Sequence, residues 1–184
     1  MARSRKPGDG AGKPAPSTLS HEEQLAAARE AALRLLAVRE RSAVELRSRL
    51  RQKGFDPDVI VSVLDRLQET KLQDDVRFGA QFVEAAARRG MAGRRIQMEL
   101  RARGLSKEEA ARAATQDPDA EVARARDLAD RKAARMRDLP LETRVRRLMS
   151  LLARKGFDPD TCRMVAKEAA GSPSLDPLVE RDLP

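Results

Sequence analysis

The chain has 184 residues, 36% of them charged and 41% hydrophobic, with 37 Lys and Arg against 29 Asp and Glu for a formal net charge of +8. Trp and Tyr are absent, Phe occurs four times and β-branched residues are sparse, whereas the strong helix formers Ala, Leu, Arg and Glu dominate, which predicts an all-α fold. The single Cys162 excludes an intramolecular disulfide and, with the lone His21, leaves no metal site, while the cationic surplus favours an acidic partner, either nucleic acid or a protein coated on it.

Residues 1–19 are rich in Pro, Gly and Lys with nothing to bury, and read as a disordered basic arm. No apolar core follows the basic amino terminus, so it is not a secretory signal. Ser20 with Glu23 opens a first helix, whose Leu25, Ala28, Ala32 and Leu35 share one stripe. Ser42 with Glu45 reads as a second capping box and opens a helix ending at Lys53, and Asp56-Pro57 starts a third. Asp74 or Asp75 caps a helix bearing Phe78 and Phe82 that stops at Gly90. Helices over 92–103 and from Ser106 follow, and Asp117-Pro118 starts another with Val122, Ala125, Ala129 and Ala133 on one face. Two more, over 141–155 and 158–170, complete nine helices before a loose tail at 171–184 with Pro173, Pro177 and Pro184. No apolar run approaches the roughly 20 residues that span a bilayer, so a cytoplasmic protein without membrane contact is expected.

An internal repeat organises this pattern. Leu46-x3-Leu50-x3-Gly54-Phe55-Asp56, Ile96-x3-Leu100-x3-Gly104-Leu105-Ser106 and Leu148-x3-Leu152-x3-Gly156-Phe157-Asp158 align, with glycines 50 and 52 residues apart. Each copy encodes a helix stop followed at once by a helix start. The glycine suits the left-handed position past a helix end, and the apolar residue after it folds back on Leu50, Leu100 or Leu152. Asp56, Ser106 and Asp158 then cap the next helix, and Ile60, Ala110 and Cys162 lie where the same Phe or Leu can staple. Three three-helix repeats are predicted, over 20–72, 73–116 and 117–170, stacked into an elongated, curved rod because units of this size bury little alone.

Charge concentrates on the second helix of each repeat. Arg47, Arg49, Arg51 and Lys53 against Glu45 give +3; Arg94, Arg95, Arg101 and Arg103 against Glu99 give +3; Arg144, Arg146, Arg147, Arg154 and Lys155 against Glu142 give +4. The third helices over 57–70 and 158–170 come to −2 and −1. Arg94, Arg95, Arg101, Arg103, Arg144, Arg146 and Arg147 are therefore the candidate partner-binding residues. For most of them a solvated face is the equal alternative; Lys53, Arg103 and Lys155, each beside a stop glycine, also complement the helix dipole.

Other chemistry is poorly provided for. The helix after each junction is too apolar and acidic to read a DNA groove, as Pro57 to Lys71 illustrates. Stacking of single strands needs exposed aromatic platforms, and the four Phe fall at core or capping positions. Asp74-Asp75 is explained by helix capping, Cys162 by packing, and His21 has no evident role. With no phosphate-binding glycine loop, neither an enzyme nor a cofactor is expected.

These residues resemble the RecX family. Ala32-Leu33 through Leu36, Arg39, Ser42, Glu45-Leu46, Leu50 and Gly54 look like its first repeat. Leu64-x2-Leu67-x-Glu69 followed by Asp74-Asp75-x-Arg77-Phe78 matches its most distinctive segment, and Gly93-x-Arg95-Ile96-x2-Glu99-Leu100-x3-Gly104 its second repeat. The likeness covers about residues 25–170 and implies a monomeric, non-catalytic regulator of the RecA recombinase. Such a protein lies along the groove of the RecA–single-stranded DNA filament, limiting its growth, ATP hydrolysis, strand exchange and stimulation of repressor self-cleavage. The resemblance assigns no catalytic residues, and direct DNA contact should be weak and electrostatic. A DNA-binding architectural protein acting without a recombinase is the alternative, and a helical adaptor between two proteins a third.

Overall fold

The computed structural model describes residues 16–115 and 117–171, and these contain nine α-helices and no strand. The expected basic arm and tail lie outside the described residues, apart from a 3₁₀ turn at Pro16–Thr18 and Gly171. The helices are α1 (His21–Val38), α2 (Ala43–Gln52), α3 (Pro57–Glu69), α4 (Asp75–Arg88), α5 (Gly93–Ala102), α6 (Lys107–Ala114), α7 (Pro118–Ala133), α8 (Leu141–Lys155) and α9 (Pro159–Ala169). They form two compact units, one up to Asp74 and one from Asp75. The first holds α1–α3 and the second holds α4–α9.

All three junctions close as full Schellman caps. Gly54, Gly104 and Gly156 have φ of 87°, 97° and 94°. The N–H groups of Phe55, Leu105 and Phe157 donate to the carbonyls of Leu50, Leu100 and Leu152 at 3.4, 3.2 and 3.3 Å. The glycine N–H groups donate to Arg51, Arg101 and Ala153. Those three leucines are wholly buried, and Phe55, Leu105 and Phe157 are 4–7% exposed. Each junction thereby welds the end of one helix, the start of the next and the core between them.

The caps that follow differ. Ser106 and Glu109 form a reciprocal capping box, as do Ser20 and Glu23. Asp158 accepts from the N–H groups of Asp160 and Thr161. Asp56 holds the expected N-cap position but makes no side-chain cap. Its carboxylate instead accepts from Gln24 Nε2 at 2.8 Å, while its own N–H donates to Gln24 Oε1 at 3.2 Å. A buried amide on α1 has captured the carboxylate, a stronger demand than capping because Gln24 is only 4% exposed. His21, expected to be idle, lies with Nδ1 3.7 Å from Asp58 Oδ2.

In the second unit the cores of α4–α6 and α7–α9 are tied across the repeat boundary. Ala92, between α4 and α5, is wholly buried in the core built on Ala125, Ala129, Leu148 and Leu152. Its N–H donates to the Lys155 carbonyl at 3.0 Å, and Lys155 Nζ donates to the Arg89 carbonyl at 2.8 Å. Lys155 is thus a tie between repeats as well as a cation at its own helix end. The N-terminus of α5, preceded by an alanine that cannot cap, is served by α7: Gly93 N–H donates to Glu121 Oε2 at 2.8 Å.

The same boundary makes the junction glycines unequal. A Cβ on Gly54 would meet nothing closer than Pro16 Cδ at 3.9 Å, whereas one on Gly156 would collide with Arg95 Cβ and lie 3.0 Å from its backbone nitrogen. Gly54→Ala should therefore lose only the backbone preference, about 1 kcal/mol. Gly156→Ala should lose about 2–4 kcal/mol, since overpacking adds to the same strain. Chemical denaturation of the two variants checks this, and equal losses would contradict the packing of Gly156 on α5.

Candidate functional site

A cleft of about 810 Å³ opens where α5 faces α8 and α9 in the second unit. Its position follows from the boundary just described, because Gly156 seats the α8–α9 junction against the backbone of Arg95. Four guanidinium-bearing residues line it: Arg94 and Arg95 from α5, Arg154 from α8 and Arg163 from α9. Met98, Met149, Phe157 and Cys162 supply its apolar part, and no carboxylate is among its lining residues. Met149 and Ser150 continue into a shallower groove of about 440 Å³, which Arg146 and Lys167 border together with Glu142.

The cations of the cleft are not equivalent. Arg95 is paired with Glu99 (2.8 Å) and Arg163 with Asp160 (2.8 Å). Arg94 and Arg154 are exposed and make no ion pair among the described residues. An exposed unpaired guanidinium keeps its fork of donors available for a carboxylate or phosphate. Cys162 is 3% exposed, with its Sγ 3.5 Å from the Phe157 carbonyl oxygen. Burial first, and then the charge of Asp158, push its thiol above the ordinary value, so it packs rather than attacks.

The other candidate residues are scattered around this centre. Arg101 is exposed about two helical turns beyond Arg94, and Arg146 and Arg147 are exposed on α8. Arg144 is half-buried, and its Nε finds no hydrogen-bond partner. Arg103 is committed inward: Nη1 donates to Glu99 Oε2 at 2.6 Å and to the Glu99 carbonyl at 3.1 Å, and the guanidinium lies 4.6 Å from the Phe82 ring centroid. Arg154, Arg163 and Met98 were not among the residues that sequence patterning selected. Arg154 has Gln52 and Ala102 at the equivalent places, so no repeat signal marks it, and Arg163 sits on a helix whose net charge is negative.

The described residues thus make an all-helical scaffold of three-helix units that carries an open, arginine-lined cleft. Among the described residues no group of His, Cys, Asp and Glu could hold a metal, and no helix is long and apolar enough to cross a membrane. Family models described as the first, second and third three-helix domains of RecX match residues 28–67, 74–113 and 119–165. The regulatory protein RecX of Thermobifida fusca is 38% identical over 163 residues, covering 87% of this chain and 88% of the relative. That of Chromohalobacter salexigens is 41% identical over 141 residues, covering 76% and 91%. The crystal structure of RecX from Lactobacillus salivarius superposes with a TM-score of 0.69 at 20% identity, covering 80% of this chain and 97% of that one. The chain belongs to the RecX family of regulatory proteins.

Carboxylates of the second unit are tuned by their partners. Glu99 is held below the ordinary range chiefly by the hydrogen bond from Arg103, with Arg95 adding to it against the effect of burial. Asp158 is lowered chiefly by hydrogen bonds from Thr161, and Glu109 by those from Ser106. A folded pKa below the unfolded one gives stability that is present above the unfolded value and lost as pH falls through the folded one. The thermal midpoint should be flat from neutrality to about pH 5 and fall below about pH 4. Asp158→Asn with Glu99→Gln should shrink that fall; an unchanged acid profile would contradict the assignment.

Proposed function

We propose that this chain regulates the RecA recombinase, mainly as an inhibitor, by binding the RecA–single-stranded DNA filament without performing chemistry itself. The observation that carries this reading is the carboxylate-free cleft with Arg94 and Arg154 unpaired, in a chain whose relatives are named regulatory proteins. A recombinase filament presents phosphate charge together with a protein groove. Charge alone holds DNA at dissociation constants of about 10⁻⁴–10⁻⁶ M at physiological salt. The apolar side chains in the cleft supply what charge does not, contact area that excludes water.

In this reading Arg94, Arg95 and Arg101 on α5 and Arg144, Arg146 and Arg147 on α8 belong to one basic contact face, while Arg103 positions α5. The protein acts as a cytoplasmic monomer, needs no cofactor, and limits filament growth, ATP hydrolysis and strand exchange. The test is RecA ATPase on single-stranded DNA with and without the chain. Inhibition is expected from the natural protein and loss of inhibition from a variant carrying Arg94→Glu, Arg101→Glu and Arg154→Glu, with helicity by circular dichroism unchanged. Arg95 stays in place because it pairs with Glu99 and packs on Gly156. Naked-strand binding should fade as salt rises from about 50 to 200 mM, while filament binding persists. Equal affinity for bare and coated DNA at the higher salt would overturn the reading in favour of an architectural DNA-binding protein.

A further inference from the structure

We infer that the cleft between α5, α8 and α9 is a docking groove for an acidic, amphipathic helical segment of a partner protein, not a channel for the phosphate backbone. This rests on the regulatory reading above and names what the partner presents to the cleft. Charge complementarity comes first: Arg94, Arg95, Arg154 and Arg163 share a lining with no carboxylate, and only Arg95 and Arg163 are already paired, with Glu99 and Asp160. Guanidinium groups pair carboxylates bidentately, and Arg94 and Arg154 keep their forks unengaged.

The apolar part decides between anionic partners. Met98 is 58% exposed although it sits one turn beyond Arg94, and it lines the same cleft as Arg154 of α8 and Arg163 of α9. An exposed thioether flanked by arginines has nothing to contact on a phosphate backbone, and it adapts readily to varied aliphatic side chains. Bases, for their part, need an aromatic face to stack on. The one aromatic residue of the cleft, Phe157, is 4% exposed and held in the core by its junction. A helix with an apolar stripe bordered by Asp and Glu satisfies both elements at once, the stripe on Met98 and Met149 and the carboxylates on the arginines.

The experiment replaces Met98 with a photo-crosslinking amino acid in the full chain, irradiates it on RecA-coated single-stranded DNA, and maps the adducts by mass spectrometry alongside ATPase inhibition. Adducts on a RecA segment that combines Asp or Glu with large apolar residues are expected. Adducts on DNA, adducts on a segment lacking acidic residues, or inhibition without any adduct would overturn the inference while leaving the regulatory reading standing. Should the chain neither bind nor inhibit the filament, that reading fails, and a labelled helical peptide with Leu on one stripe and Glu on its flanks decides the inference alone. Fluorescence anisotropy should then show binding that weakens about tenfold or more with Arg94→Glu plus Arg154→Glu and also weakens with Met98→Ser. Binding that neither change affects, or no binding to the natural chain, would overturn it.

Discussion

The fold depends on one local arrangement made three times, the left-handed glycine that ends the second helix of a repeat and starts the third. At each copy the N–H of an apolar residue reaches back to the carbonyl of a buried leucine, and the next residue is the N-cap of the following helix. The bond pattern fixes where the chain turns, and the side chains then decide what is buried. Leu50, Leu100 and Leu152 go wholly inward together with Phe55, Leu105 and Phe157. Because α2, α5 and α8 present one stripe to the core, most of their remaining positions face water, and there the arginines collect. A basic outer face is thus a geometric consequence of how the second helix is anchored.

A second constraint acts only in the unit from Asp75 onwards, where two repeats share a boundary. Ala92 contributes to the core of α7–α9, Glu121 completes the N-terminus of α5, and Lys155 bonds the chain after α4. These contacts hold α5 against the α8–α9 junction with no room for a side chain at position 156. The cleft is the remaining space beside that contact, so its arginines come from three helices whose relative placement is set by buried groups. A site built this way has a buried floor and an exposed rim, where Met98, Arg94 and Arg154 face solvent.

Most of what is determined within about five positions of the chain is legible in the residue order. The glycine, apolar and capping triplets, the boxes at Ser20 and Ser106, and the stripe of Ala125, Ala129 and Ala133 all belong to this class. Bonds that join distant residues were not legible. Glu121 caps a helix 28 residues away, and Lys155 reaches across 66. Asp56 looks like any N-cap until Gln24, 32 residues earlier, is folded beside it. The end of α3 gave no signal either, since its left-handed residue is Lys71, with φ of 56°. The same division runs through the candidate site. Arg94 and Arg95 were found from helix charge, whereas Arg154, Arg163 and Met98 become members of the cleft only when one repeat packs on the next.

On the proposed reading, the protein meets its partner through the α5, α8 and α9 surface of the second unit. Hydrogen–deuterium exchange of the full chain, alone and on RecA-coated single-stranded DNA, tests this most directly because it reports every helix at once. New protection is expected at the rim of the cleft, in α5 around Arg94 to Met98 and in α8 and α9 around Ser150 to Arg163, with little change in α1–α3. Protection confined to α1–α3, or no change in the second unit under conditions where the filament is bound, would contradict the account.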